Sequence, residues 1–136
     1  MIYNLTVRYI AEFFLPRLKN ETNLREVLLD TLEFAHQIVN ALEEKKGEDI
    51  VLLDIHDVSL IADYFVICSG TSPRMIDALS AAVVAEIKQE HGTRPRIEGS
   101  SHGGWILADF GDVILHLFSP DRRDYYTLED LWSDAK

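Results

Sequence analysis

The sequence predicts an α/β (α+β) fold: a single domain with a mixed five-stranded sheet and helices packed against it. Two long stretches carry apolar residues on one helical stripe, and five short runs are rich in β-branched and aromatic residues. Counting a last helix near the C-terminus, the signals follow one another as α, β, β, α, β, β, β, α. Each striped helix and each apolar strand needs a neighbour to bury against, and 136 residues with 47% apolar content supply one core without disulfides or metal.

Residues 1–20 place Tyr3, Val7, Ile10 and Phe14 at helical spacing before Pro16. They are expected to be an N-terminal extension, an extra helix separable from the domain at 22–136. From Asn23 a strong helix carries Leu24, Leu28, Leu32, Ala35, Ile38, Val39 and Leu42 on one stripe. Glu26 stands at the capping-box distance from Asn23, and Gly47 after Lys45 and Lys46 is the expected stop. Asp49 to Ile55 and Asp63 to Ser69 are expected as two central strands.

Ser72 and Pro73 then supply an N-cap and a first helical position for a helix with Ile76, Leu79, Val83 and Ile87 on its stripe and Gly92 at its end. Arg94 to Glu98 contains Pro95, which suits an edge strand. Gly99 to Gly104 is expected as a flexible loop leading into a hairpin. In that hairpin Trp105, Leu107 and Asp109 alternate with Ile106 and Ala108, a Phe-Gly-Asp turn follows, and Val113 to Phe118 runs almost wholly apolar, as a strand covered on both faces does. Thr127 is expected to cap a last helix with Leu128, Leu131 and Trp132.

Charge narrows the function. Thirteen basic against 23 acidic residues leave a net −10, which argues against sequence-independent binding to phosphate backbones and for contact with a basic protein. Cys68 has no second cysteine to pair with and lies in the strand-like run DYFVICSG, where a thiol behaves as a small apolar residue; a reducing cytoplasm fits. No run approaches the roughly 18 apolar residues of a membrane span, so no membrane contact is expected.

Enzymatic constellations fail one by one. Gly99 and Gly104 have phosphate-loop spacing, but Trp105 and Ile106 stand where Lys and Ser or Thr are required. Ser69-Gly70-Thr71-Ser72, between a strand and a helix, resembles the Gly-Ser turn of nucleotidyltransferases, yet the carboxylate pair that would clamp two metals is missing from Pro73 to Asp77. Histidines 36, 56, 91, 102 and 116 show no ligand spacing, and His116 between Leu115 and Leu117 is expected to be hydrogen-bonded inside the fold. What remains is an acidic and aromatic surface around Trp105, which is expected to be at least half exposed because it follows the glycine loop.

The run from Leu42 to Trp132 resembles the ribosomal silencing factor family, also called Iojap-like, in EEKKGEDIVLLDI, ADYFVICSGTSPR, Glu98-Gly99, Trp105, DFGDVILHLF and RDYYTLEDLW. The resemblance implies a nucleotidyltransferase-like fold without the catalytic carboxylates. It also implies a translation repressor and ribosome-assembly factor that binds the large ribosomal subunit through large-subunit ribosomal protein fourteen and blocks joining with the small subunit. No enzyme activity, cofactor or metal is implied, and little direct RNA contact. The partner-facing residues it implies are Glu98, Trp105, Asp109, Phe110 and Tyr126. Asp63 and Tyr64 match a family motif that a structural role would also explain. The rival readings are a degenerate nucleotide-binding protein and a self-associating module, a homodimer built on the exposed hairpin.

Overall fold

Polarity alternates along 105–109 and, His116 apart, is absent along 113–118, and the order of strands in the sheet accounts for both. The computed structural model describes residues 22–57 and 59–126. These form helices α1 (Thr22–Glu44), α2 (Pro73–His91) and α3 (Pro120–Tyr126), and strands β1 (Glu48–Asp54), β2 (Tyr64–Ser69), β3 (Arg96–Ser100), β4 (Trp105–Asp109) and β5 (Val113–Phe118). The sheet order is β1-β2-β5-β4-β3, with β2 and β5 parallel and the other neighbours antiparallel. Central β5 is buried at every residue, whereas β4, beside the edge strand β3, buries only Ile106 and Ala108 fully.

One expectation about the sheet fails. Of the two strands expected to be central, β2 is and β1 is not. Six residues of β5 pair in parallel with β2 on the side away from β1, which leaves β1 at the edge. On one face Leu32, Ala35, Ile38 and Leu42 of α1 and Ile76, Leu79, Val83 and Ile87 of α2 close over Leu52, Val66, Cys68, Leu115 and Leu117. The other face gathers Val51, Leu53, Phe65, Ile67, Ile114 and Phe118, with Trp105 and Leu107 packed against them.

The helix ends show which local signals act. Asn23, the cap that the spacing to Glu26 suggested, falls within the span of α1, and its side chain lies outside the described residues. At the other end the left-handed residue is Lys46, with φ 61°, not Gly47. The N–H of Gly47 donates to Leu42 O at 2.8 Å and that of Lys46 to Glu43 O at 3.0 Å, a Schellman closure. Gly47 is required for space instead: a Cβ there would lie 2.5 Å from the Sγ of Cys68. In α2 both caps are as expected. The Oγ of Ser72 accepts from the Met75 N–H at 3.1 Å, and Gly92, at φ 71°, donates to Lys88 O.

The stretch from Gly99 to Gly104 is not the flexible loop expected of it. β3 continues through Gly99 and Ser100, and the turn closes with Gly104 N–H on Ser101 O at 3.1 Å and Gly103 N–H on Ser100 Oγ at 3.0 Å. Ser101 Oγ donates in turn to Asp77 Oδ2 on α2 at 2.9 Å. α3 was not among the expected helices: its Ser119-Pro120 start repeats the Ser72-Pro73 signal without a following apolar stripe. The expected helix at Thr127 and the extension at 1–20 lie outside the described residues.

Candidate partner-binding face

Because side chains alternate across a strand, register decides which candidates share a face. Glu98 stands opposite Leu107, Trp105 opposite both Ser100 and Phe118, and Asp109 opposite Arg96 and Ile114. Glu98, Trp105 and Asp109 therefore lie on one face of the sheet, the face that also carries His116 and Phe118. Glu98 is exposed and 3.9 Å from Arg96 on the same strand.

Trp105 is mostly buried, which corrects the expectation that it would be at least half exposed. The turn before it is ordered, and its ring lies 5.0 Å from that of Phe118 and 5.9 Å from that of His116. Its Nε1 donates to Nδ1 of His116 at 3.2 Å. An indole N–H only donates, so Nδ1 is the acceptor and the histidine is neutral with its proton on Nε2. His116 is 3% exposed, and burial pushes its pKa down to about 4. This is the sheet-face histidine, hydrogen-bonded inside the fold, that the sequence suggested.

Asp109 is half-buried and holds the turn after β4, its Oδ1 accepting from Gly111 N–H at 2.8 Å while Phe110 N–H donates to Val113 O at 3.0 Å. Phe110 is separated from Trp105 by the sheet. It turns to the helix side and meets Phe34 edge to face at 5.5 Å, at the mouth of an open cavity of about 400 Å³ that Asp30, His91, Arg94 and Asp112 also line. Tyr126 ends α3, and its side chain lies outside the described residues. Tyr64 is 1% exposed beneath the helices, and burial first, then Asp54 and Asp63, pushes its phenol up. Asp63 donates its N–H to Asp112 O at 2.8 Å, so the Asp63-Tyr64 pair has structural placements.

The hydroxyls of the Ser69–Ser72 turn are engaged in the fold. Arg123 of α3, itself buried, donates from one nitrogen to Ser69 Oγ at 2.8 Å and to Asp49 O at 2.6 Å, while Ser72 caps α2. A Cβ on Gly70 would meet Ile76 at 2.8 Å. Cys68 is buried and its thiol is pushed up to about 12, chiefly by desolvation, which leaves it a poor nucleophile at neutral pH. Among the described residues no three His, Cys, Asp or Glu side chains group as a metal site, and no helix is long and apolar enough to cross a membrane.

Residues 29–136 match the family model described as ribosomal silencing factor during starvation. The ribosomal silencing factor of Halalkalibacterium halodurans is 43% identical over 104 residues, which cover 76% of this chain and 88% of that protein. The Mus musculus mitochondrial assembly of ribosomal large subunit protein 1 is 33% identical over 99 residues, 71% of this chain and 43% of that one. A crystal structure of a protein from Chromobacterium violaceum superposes with a TM-score of 0.71 at 35% identity, covering 74% of this chain and 84% of that chain.

Proposed function

This chain belongs to the ribosomal silencing factor family, and on that premise we propose that it is a translation repressor that binds the large ribosomal subunit and prevents it from joining the small one. The contact is with large-subunit ribosomal protein fourteen, with little direct RNA contact, and the protein acts in the cytoplasm with a role in ribosome assembly. The observation that carries this reading is the family match over residues 29–136. The printed name of the mouse relative, which refers to assembly of the large subunit, supports the choice of subunit. A net charge of −10 favours a basic ribosomal protein as the surface met, since like charges would hold exposed phosphates away.

We assign the docking face to Glu98, Trp105 and Asp109 on the sheet. Phe110 is reached round the turn, and Tyr126 stands at the end of α3. Trp105 takes part as a braced edge, not as a free anchor: its hydrogen bond and its neighbour Phe118 fix the ring, so little side-chain freedom is lost on contact. A nucleotide-binding reading is weakened by the engaged hydroxyls of Ser69 and Ser72. Self-association has one observation in its favour, since all five residues of the edge strand β3 are exposed.

The test is sedimentation with separated subunits. The protein should travel with free large subunits and neither with small subunits nor with joined ribosomes, and chelator should not change this. Equal binding to both subunits, or none to the large one, contradicts the proposal. Solution mass at micromolar concentration decides the homodimer.

A further inference from the structure

The connection between β1 and β2 turns two large apolar side chains outward. Leu60 is 107% exposed and Ile61 67%, in a protein whose other large apolar residues are, among those described, nearly all covered. Neither hangs on a loose segment. Ile55 N–H donates to Asp63 O at 2.9 Å and closes the neck of the connection, Ser59 N–H donates to Ile55 O at 2.9 Å, and Ile61 N–H donates to Ser59 Oγ at 3.0 Å. Ala62, the next residue, is buried, and Asp63 and Tyr64 both donate their N–H to Asp112 O in the turn between β4 and β5. The backbone thus holds the pair in place before any partner arrives, which removes the ordering cost that a flexible tip would incur on binding.

The same connection and the turn bonded to it carry carboxylates. Asp57 is 72% exposed at its side chain and 3.2 Å from Nε2 of His56, Asp112 is exposed, and Asp63 is near enough to Asp112 for their repulsion to add to the effect of burial on its pKa, against a smaller opposing effect of His56. An apolar pair flanked in the chain by Asp57 and Asp63, on a neck bonded to Asp112, fits a socket edged by Lys and Arg. It does not fit a second copy of the chain, which would bring the same carboxylates against one another, nor an anionic lipid surface or bare RNA.

We propose that Leu60 and Ile61 are the apolar anchor of a docking surface for a basic protein, with Asp57, Asp63 and Asp112 pairing with cations on the rim of its socket. The inference rests on the proposed function for the identity of that partner as the large subunit's protein. It extends the docking face through the Asp109–Asp112 turn to the end of the sheet, and makes this tip, not Trp105, the part that enters the partner.

The experiment compares the parent chain with a Leu60→Ser, Ile61→Ser double variant, and with Leu60→Ser alone as the milder change, in titrations against large subunits. Both residues are exposed, so thermal melts should be superimposable. The double variant should bind about tenfold more weakly or worse, as anchor truncations do. A double variant that binds as tightly as a binding parent overturns the tip as anchor and leaves the proposed function standing. A parent that does not bind large subunits overturns both. Unchanged subunit binding together with lost self-association, or lost binding to phosphatidylglycerol vesicles, assigns the tip to another occupant and overturns the proposal.

Discussion

The indole N–H of Trp105 donates to Nδ1 of His116 on the neighbouring strand at 3.2 Å, which ties the candidate docking face to the centre of the sheet. Truncating Trp105 therefore tests the fold as well as the interface. Trp105→Ala should lower stability by roughly 2 kcal/mol or more, because it uncovers Phe118 and leaves a buried acceptor unpaired. Trp105→Phe, which keeps a ring and loses the hydrogen bond, should cost about 1 kcal/mol. Urea denaturation midpoints check both, and an unchanged midpoint for Trp105→Ala contradicts the burial described.

The same histidine should make stability depend on pH. Folded His116 is neutral down to about pH 4, whereas in the unfolded chain it takes a proton below about 6.5. The unfolded state then binds more protons, so stability is lost as pH falls from 6.5 towards 4 and the loss levels off below that. By pH 5 it amounts to about 2 kcal/mol. His116→Gln keeps an acceptor for the indole but does not titrate. Between pH 7 and 5 the variant should lose less stability than the parent by that amount, and parallel curves count against the assignment.

Two glycines should respond very differently to alanine. A Cβ on Gly99, at φ 85°, would lie 2.1 Å from Trp105 O in the paired strand, so Gly99→Ala has to open the β3–β4 hairpin. Gly92, at φ 71°, has nothing within 4 Å of its Cβ, and Gly92→Ala should cost only the left-handed backbone preference, about 1 kcal/mol. Thermal melts of the two variants separate these costs, and equal shifts contradict them.

Glu98→Lys examines charge on the proposed docking face without disturbing the fold, since the side chain is exposed and its ion pair with Arg96, at 3.9 Å, is on the surface. It should slow association with large subunits and flatten the dependence of that rate on salt, as removal of a steering charge does. Stopped-flow association at two ionic strengths checks it. An unchanged rate at low salt excludes Glu98 from the interface.

What was legible in the sequence was what is local. The alternation from Trp105 to Asp109, the apolar run of β5 and the stripes and caps of α2 each depend on neighbours within a few residues, and the structure has them where the pattern put them. The edge position of β1 depends on a parallel pairing with residues some fifty positions away, which no local pattern encodes. Trp105 looked exposed because its predecessors are glycines and serines. Its burial is decided by His116 and Phe118 across the sheet. Phe110 stands where alternation stops, so its turn towards Phe34 on the helix side carried no sequence signal. The exposure of Leu60 and Ile61 carries no local signal either, since it shows only once the core is assembled.

Light scattering on mixing the subunits tests most directly whether this acidic chain keeps free large subunits from joining small ones. Large subunits incubated with a molar excess of the protein should give a slower and smaller rise in scattering, in proportion to occupancy, while incubation of the small subunits alone with an equal amount of protein should delay joining only as far as carry-over to large subunits allows. Joining at the same rate and extent with saturated large subunits as with bare ones would contradict the account.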